Sequence, residues 1–209
     1  MHPHLSFAAF DPLLPWLDMA GLAVFAVSGA LAAARAGQTI VTFCFFALAT
    51  GTGGGTVRDL LIGAPVFWLH DSRPLAICLA MAALVWLMPR RWQPGRALDW
   101  CDAAGLAAYA VYGAAKALHY GVPPLPAALM GVITACMGGI LRDVIAGVPS
   151  IVLRPELYVT AAALAAGAFV ALSGAGLATP WPAAVGVIAG FGLRALAIRR
   201  GLGLPAYRG

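Results

Sequence analysis

Charged side chains are scarce in this chain: Asp, Glu, Lys and Arg make up 10% of its 209 residues, whereas hydrophobic residues make up 62%. Soluble domains carry about 25% charged residues. Because a charged fraction of 10% cannot cover the surface of a water-soluble protein, the composition predicts an integral membrane protein. The first apolar segment has no basic stretch before it and no small-residue cleavage pattern, and we interpret it as a retained span rather than a signal peptide.

Recognisable enzyme and metal-site patterns are also lacking. The four cysteines stand singly, without CxxC, and the four histidines show no metal-ligand spacing. The glycine run from residue 51 lacks the last glycine of a dinucleotide fingerprint and the Lys-Ser/Thr of a P-loop, and no hydrolase motif is present. We therefore expect no enzymatic activity, no metal and no cofactor. The net charge of +5 lies mainly in arginines between apolar segments, so we expect no nucleic-acid partner.

What the chain does have is an internal repeat. Residues 54–65 and 138–149 share Gly-Gly-x-x-Arg-Asp-x-x-x-Gly-x-Pro at an offset of 84 positions. The same offset pairs Asp18 with Asp102. Glycine pairs and charges duplicated within apolar surroundings indicate two related halves around a polar site in a membrane.

Seven segments are long enough to cross a bilayer, which takes about 17–25 residues. They cover residues 16–35, 39–63, 74–89, 100–120, 124–147, 155–173 and 181–199. We predict an all-α membrane protein, a single transmembrane domain over 1–209, with repeat one at 16–89, repeat two at 100–173 and a seventh helix at 181–199. Each repeat holds three spans, so the second copy enters the membrane inverted.

The arginines between the spans predict the orientation. With the N-terminus outside, the inside joints and C-terminus hold nine, and the outside joints hold only Arg73. The nine are Arg35, Arg90, Arg91, Arg96, Arg154, Arg194, Arg199, Arg200 and Arg208. This positive-inside bias predicts an outside N-terminus and a cytoplasmic C-terminus, and we expect a bacterial inner membrane.

Glycines near the middle of spans two and five predict kinked helices. Residues 51–55 contain four glycines, each costing about 1 kcal/mol within a helix relative to alanine. A bend or short unwound stretch there persists only beside protein or a water-filled cavity. The expected lining of that cavity is Thr50, Gly53, Gly54, Gly55, Thr134, Gly138 and Gly139. Alternatively, the glycines only allow two helices to cross closely.

Seven charged residues of the two repeats are candidates for a charged pathway or gate, because a charge at the centre of a span costs roughly 2.5–3.5 kcal/mol. They are Asp18, Arg58, Asp59, Asp102, Lys116, Arg142 and Asp143. Adjacent helical residues point about 100° apart, so we expect each arginine to pair across the repeats, or with Asp18 or Asp102, rather than with the aspartate beside it. These groups either latch the helices together or line a pathway.

Lys116 is the only lysine, and the position 84 residues earlier holds Ala32. Tyr109 and Tyr112 precede it by seven and four residues and share its helical stripe, which favours an aromatic, polar lining. We expect Lys116 to lie beside the pathway or to bind an anionic lipid phosphate. The alternative is that it snorkels to the interface.

The doubled Gly-Gly-x-x-Arg-Asp and Gly-x-Pro pattern in a seven-span chain resembles the trimeric intracellular cation channel family, in its prokaryotic branch, whose members are also named glycine transporters. The resemblance covers residues 16 to about 200. It implies a homotrimer with one ion pathway per protomer, between the kinked spans two and five. Lys116-Ala117-Leu118 shares only its lysine with the Lys-Glu-Val of the eukaryotic branch, so the resemblance does not extend phosphoinositide regulation to this chain.

Three functions remain open at this point. The first is a passive monovalent cation channel, permeable to K⁺ and Na⁺ and of modest selectivity, because no TVGYG-like run is present to strip potassium of its water. The second is a secondary transporter of a small amino acid such as glycine. The third is a lipid-binding scaffold that transports nothing.

Overall fold

The computed structural model describes residues 13–89 and 96–205, which form seven α-helices. The helices are α1 Leu13–Arg35, α2 Ile40–Leu61, α3 Arg73–Leu87, α4 Ala97–His119, α5 Pro124–Ile145, α6 Val159–Gly174 and α7 Pro180–Arg200. Each predicted span lies on one of them, so the all-α fold with seven helices is confirmed. The largest error is at the start of span six, which was predicted at residue 155, whereas α6 begins at Val159. A short 3₁₀-helix, Ile151–Leu153, precedes it. Arg90, Arg91 and Arg208 lie outside the described residues.

Four helices, α1, α2, α5 and α7, are long and apolar enough to cross a membrane. The helices α3 and α6 are shorter, with 15 and 16 residues, and each follows a 3₁₀-helix. Helix α4 carries Asp99, Asp102 and Lys116. It tolerates them because every residue from Asp102 to Lys116 except Ala104 is buried, which makes α4 the central helix of the bundle.

The two repeats meet through reciprocal contacts between α2 and α5. A Cβ atom added at Gly54 would overlap the carbonyl oxygen of Thr134, and one added at Gly138 would lie 2.6 Å from the carbonyl oxygen of Thr50. These positions exchange under the offset of 84. The backbones of α2 and α5 therefore touch, which only residues without a side chain allow.

The helices α1 and α4 make a second reciprocal contact. The rings of Phe25 and Tyr109 lie 5.3 Å apart, and these two residues also differ by 84 positions. Gly21 packs against Tyr109 as Gly105 packs against Phe25. Both sets of contacts relate the repeats by a pseudo-twofold axis, whereas α7 packs against α4 and α6 outside the duplication.

The expected unwound stretches are not present. Helices α2 and α5 run without interruption through their glycines, so that part of the prediction is wrong and the alternative, close helix crossing, describes the contact. Of these glycines, Gly54 and Gly138 face the backbone of the opposite helix, and the others pack against side chains. Thr52 and Thr134 donate their hydroxyls to the carbonyls of Leu48 and Met130, at 2.8 and 2.6 Å, and such bonds bend helices slightly. A bend of either axis stays a prediction.

The close crossing predicts a position-specific cost of adding a methyl group. Gly54→Ala is expected to lower the free energy of unfolding by about 1–3 kcal/mol, because the new Cβ must push α5 away from α2. Gly167→Ala in α6 is the matched control, because nothing lies within 4 Å of its added Cβ. It is expected to be neutral or stabilising. Thermal unfolding of both variants in detergent measures the difference, and equal losses would contradict it.

Candidate functional site

The repeated motif forms a capped helix end in each half. Gly63 and Gly147 end α2 and α5 with φ of 68° and 67°, a left-handed conformation that favours glycine. The chain then turns back, so that the amide of Phe67 donates to Asp59 at 3.1 Å and the amide of Ile151 donates to Asp143 at 2.8 Å. The Gly-x-Pro part of the motif therefore positions the backbone that holds each aspartate.

At the end of α2 lies the Lys116 cluster, which comprises Asp18, Arg58, Asp59, Tyr112 and Lys116. Asp59 accepts hydrogen bonds from the Arg58 Nε and the Lys116 Nζ, both at 2.8 Å. The Arg58 guanidinium lies 4.9 Å from the centre of the Tyr112 ring. Asp18 is buried beside them and hydrogen-bonds with Tyr112. With the carboxyls ionised, two cations balance two carboxylates.

At the end of α5 lies the Arg142 cluster, which comprises Ser28, Asp102, Arg142 and Asp143. The Arg142 Nη1 donates to Asp102 at 2.5 Å and to the Ser28 hydroxyl at 2.6 Å, and Nε donates to Asp143 at 2.9 Å. This cluster has one cation for two carboxylates. Ser28 was not among the site residues predicted from the sequence, although the offset of 84 relates it to Tyr112, which contacts the other arginine.

The pairing differs in part from the prediction. Each arginine does bind the aspartate beside it, contrary to expectation, because the arginine side chain is long enough to fold back across the angle between neighbouring helical residues. The expected pairing of Arg142 with Asp102 is confirmed, whereas the pairing of Lys116 with Asp59, which joins the two repeats, was not predicted. Lys116 is only 8% exposed, so it neither snorkels nor reaches a lipid phosphate.

A cavity of about 280 Å³ opens beside the Arg142 cluster, and we call it the vestibule. It lies at the end of the bundle where α1 and α5 end and α4 begins, which we call the C-terminal face. Its deep wall includes Ala32, Arg142 and Asp143, and Arg35, Asp99 and Arg154 also line it. On the opposite face, the position equivalent to Ala32 holds Lys116, whose amine occupies the space beside Asp59.

The glycines and threonines predicted to line a pathway lie instead in helix contacts. Thr50 and Thr134 are fully buried, and Gly53, Gly55 and Gly139 pack against the side chains of Leu141, Phe67 and Tyr158. Tyr109 is also buried and donates its hydroxyl to the Gly51 carbonyl at 3.2 Å. None of these residues lines the vestibule, so their role as a lining stays a prediction.

A duplicated three-helix unit with buried ion clusters at two opposed helix ends defines a polytopic membrane protein built from internal repeats. A family model described as Glycine transporter matches residues 15–90 and 99–174, once on each copy, and the chain belongs to this family. The chain is 41% identical to a UPF0126 membrane protein of Vibrio cholerae over 200 residues, which cover 93% of this chain and 83% of that protein.

Two further comparisons agree. The UPF0126 inner membrane protein YadS of Escherichia coli is 40% identical over 154 residues, 71% of this chain and 73% of that protein. A trimeric intracellular cation (TRIC) channel orthologue from Rhodobacter sphaeroides is 42% identical, with a TM-score of 0.84 over 91% of this chain and 99% of that one. The resemblance to the trimeric intracellular cation channel family is therefore confirmed.

The unequal clusters predict unequal costs of losing an arginine. Arg142→Met leaves two buried carboxylates without a cation, and we expect it to lower the free energy of unfolding by about 3–5 kcal/mol. Arg58→Met should cost less, because Lys116 still binds Asp59. Thermal unfolding in detergent compares the two variants. The double variant Arg58→Met/Lys116→Met lacks both cations of the Lys116 cluster and should show the larger loss. A greater loss from Arg58→Met alone would contradict the prediction.

Proposed function

We propose that the chain is a passive channel for monovalent cations, permeable to potassium, which works as a homotrimer with one pathway per protomer. The observation that carries the proposal is the vestibule, which leads from one face of the bundle to a buried cluster with an excess carboxylate. The solved relative from Rhodobacter sphaeroides, a TRIC channel orthologue, supports the cation, the channel and the trimer.

In the proposed pathway, a cation enters the vestibule, passes between α2 and α5, and leaves past the Lys116 cluster. The conformation described is closed at two levels, because the backbones of α2 and α5 touch at Gly54 and Gly138 and Lys116 binds Asp59. Separation of α2 from α5 would expose carbonyl groups and the hydroxyls of Thr50 and Thr134 to water. The predicted lining residues would then contact the ion.

Selectivity in this proposal comes from charge rather than from a dehydrating filter. The Arg142 cluster holds two carboxylates and one guanidinium in a region of low dielectric, where an uncompensated negative charge attracts cations strongly. The exposed arginines at the vestibule mouth act through water and are screened by salt. We therefore expect hydrated monovalent cations to be preferred over chloride, with little discrimination between potassium and sodium.

We place the protein in the bacterial inner membrane, with the C-terminal face in the cytoplasm. The name of the Escherichia coli relative supports the membrane. The orientation rests on the arginine distribution, since Arg35, Arg96, Arg154 and Arg199 belong to the C-terminal face. Contact with anionic lipid is proposed at these exposed arginines and no longer at Lys116.

The second candidate is a secondary transporter of glycine, which the description of the matching family model favours. In that case an arginine of either cluster would hold the substrate carboxylate. Arg142 would first have to be released by Asp102 and Asp143, which bind its guanidinium. Arg58 is paired with Asp59 through Nε and Nη2, but its Nη1 has no hydrogen-bond partner among the described residues.

Electrical recording tests the proposal directly. Purified protein in a planar bilayer with a KCl gradient is expected to give unitary currents that reverse near the potassium equilibrium potential, because the Arg142 cluster favours cations. A reversal near the chloride potential would overturn the proposal. Saturable glycine uptake into proteoliposomes without unitary currents would establish the transporter instead.

The difference between positions 32 and 116 gives a sharper test. Ala32→Lys places a second cation beside the Arg142 cluster, and the vestibule has room for its side chain. We expect a several-fold drop in unitary potassium conductance and a weaker preference for cations over chloride. Ala32→Met fills similar space without charge and should retain the cation preference. Equal effects of the two variants would mean that volume, not charge, controls the pathway.

A further inference from the structure

Arg194 on α7 is buried although nothing in the duplicated motif requires it. Its position in the sequence groups it with the cytoplasmic arginines that predict orientation, yet its side chain is only 1% exposed. Its Nη2 bonds to Glu156 at 2.5 Å, and its guanidinium lies 5.4 Å from the centre of the Tyr158 ring. An arginine that served only to orient the protein in the membrane would keep its charge in water. The burial of Arg194 therefore indicates that its contacts hold part of the structure in place.

Arg194 and the residues after α7 hold one segment, residues 155–158, from two sides. The Leu204 amide donates to the Pro155 carbonyl at 2.7 Å, and Glu156 forms an antiparallel bridge with Gly203. This segment continues back along the chain to Arg154 and Ile151, which line the vestibule. Because the Ile151 amide binds Asp143, displacement of the segment would disturb the Arg142 cluster.

Tyr158 connects Arg194 to the same cluster by a second route. Its side chain is buried, and its hydroxyl lies with the Asp102 carboxylate against Gly139. Asp102 in turn binds Arg142. Contacts therefore run from the seventh helix through Tyr158 and Asp102 to the arginine at the deep wall of the vestibule.

We call the contacts of Arg194 with Glu156 and Tyr158 the clamp, and no equivalent clamp is found among the described residues of the other half. The positions 84 residues before Glu156 and Tyr158 hold Ser72 and Pro74, which supply neither a carboxylate nor a ring. The ion pair there, between Asp71 and Arg73, is local, and the arginine is largely exposed. The clamp thus belongs to the face that carries the vestibule.

We propose that Arg194 is a positioning residue through which α7 holds residues 151–158 over the Arg142 cluster and so limits access to the vestibule. The inference deepens the proposed function, because it assigns to α7 the control of the cytoplasmic entrance. It concerns the shape of the entrance, however, so it can be tested without any measurement of ion flux.

The test uses the variant Ala32→Cys, in which Cys44 and Cys101 are also replaced by alanine. The rate at which a membrane-impermeant thiol reagent, applied from the C-terminal face, labels the thiol at position 32 is measured. Adding Arg194→Met is expected to raise the labelling rate about tenfold, because the entrance opens more often. Arg194→Lys, which keeps the charge, should restore part of the protection. Arg73→Met removes the exposed pair on the other face and should leave the rate unchanged.

Glu156→Gln provides a second variant if Arg194→Met does not fold, and it should also raise the labelling rate. Gln38→Cys, at an exposed position after α1, controls for general access to the reagent. An unchanged rate at position 32 in the folded variants would overturn the proposal, as would an equal rise with Arg73→Met. Loss of unitary currents in the parent protein would refute the channel but leave this result interpretable.

Discussion

Buried guanidinium groups are the constraint on which the rest of this structure depends. Arg58, Arg142 and Arg194 are almost completely inaccessible to solvent, in a protein whose outer surface faces lipid. Neither lipid nor an apolar core can compensate such a charge, so each arginine requires a carboxylate at hydrogen-bonding distance. The positions of Asp59, Asp102, Asp143 and Glu156 follow from this requirement, as do the helix ends that carry them.

The duplicated halves each pair a buried arginine with carboxylates, but they differ at positions 32 and 116. The two halves share the helix-ending glycine, the returning backbone amide and the arginine that folds onto the next aspartate. Lys116 adds a cation in one half, and Ala32 leaves a space in the other. The exchange of a long charged residue for a small apolar one therefore adds to the other differences between the two faces of this pseudo-symmetric bundle, which include the contacts of Arg194.

In the proposed function, the contact between α2 and α5 is the point at which the bundle would open. Two backbones that touch through glycines bury little apolar side-chain surface there, so their separation exposes mainly peptide groups that water can solvate. In that proposal, the ion clusters at the two ends would hold the helices in register during the opening. A channel and a transporter would use the same device and would differ in whether both ends open together, so the fold alone is compatible with either description of the family.

Composition, repeat spacing and span length determined the fold class and the number of helices, because the need to satisfy every backbone group in lipid leaves few alternatives to helices. The offset of 84 also identified the ionisable residues that form the two clusters, and the pairing of Arg142 with Asp102 was among the expected ones. The pairing of Lys116 with Asp59 was not predicted, because Lys116 has no counterpart in the first repeat. The start of α6 was predicted four residues too early, because residues 155–158 form an irregular segment before the helix begins at Val159.

Only the tertiary structure decided whether the glycines break their helices or bring them together, because both outcomes need the same residue type and differ only in what faces it. It also decided that each arginine folds back on its neighbour, which depends on side-chain rotamers rather than on the angle between positions. The burial of Arg194 could not be inferred from a residue that, in sequence, looks like any other basic residue at the end of a span. The free-energy cost of a charge near a membrane surface depends on the groups that pack around it, and packing is a property of the folded chain.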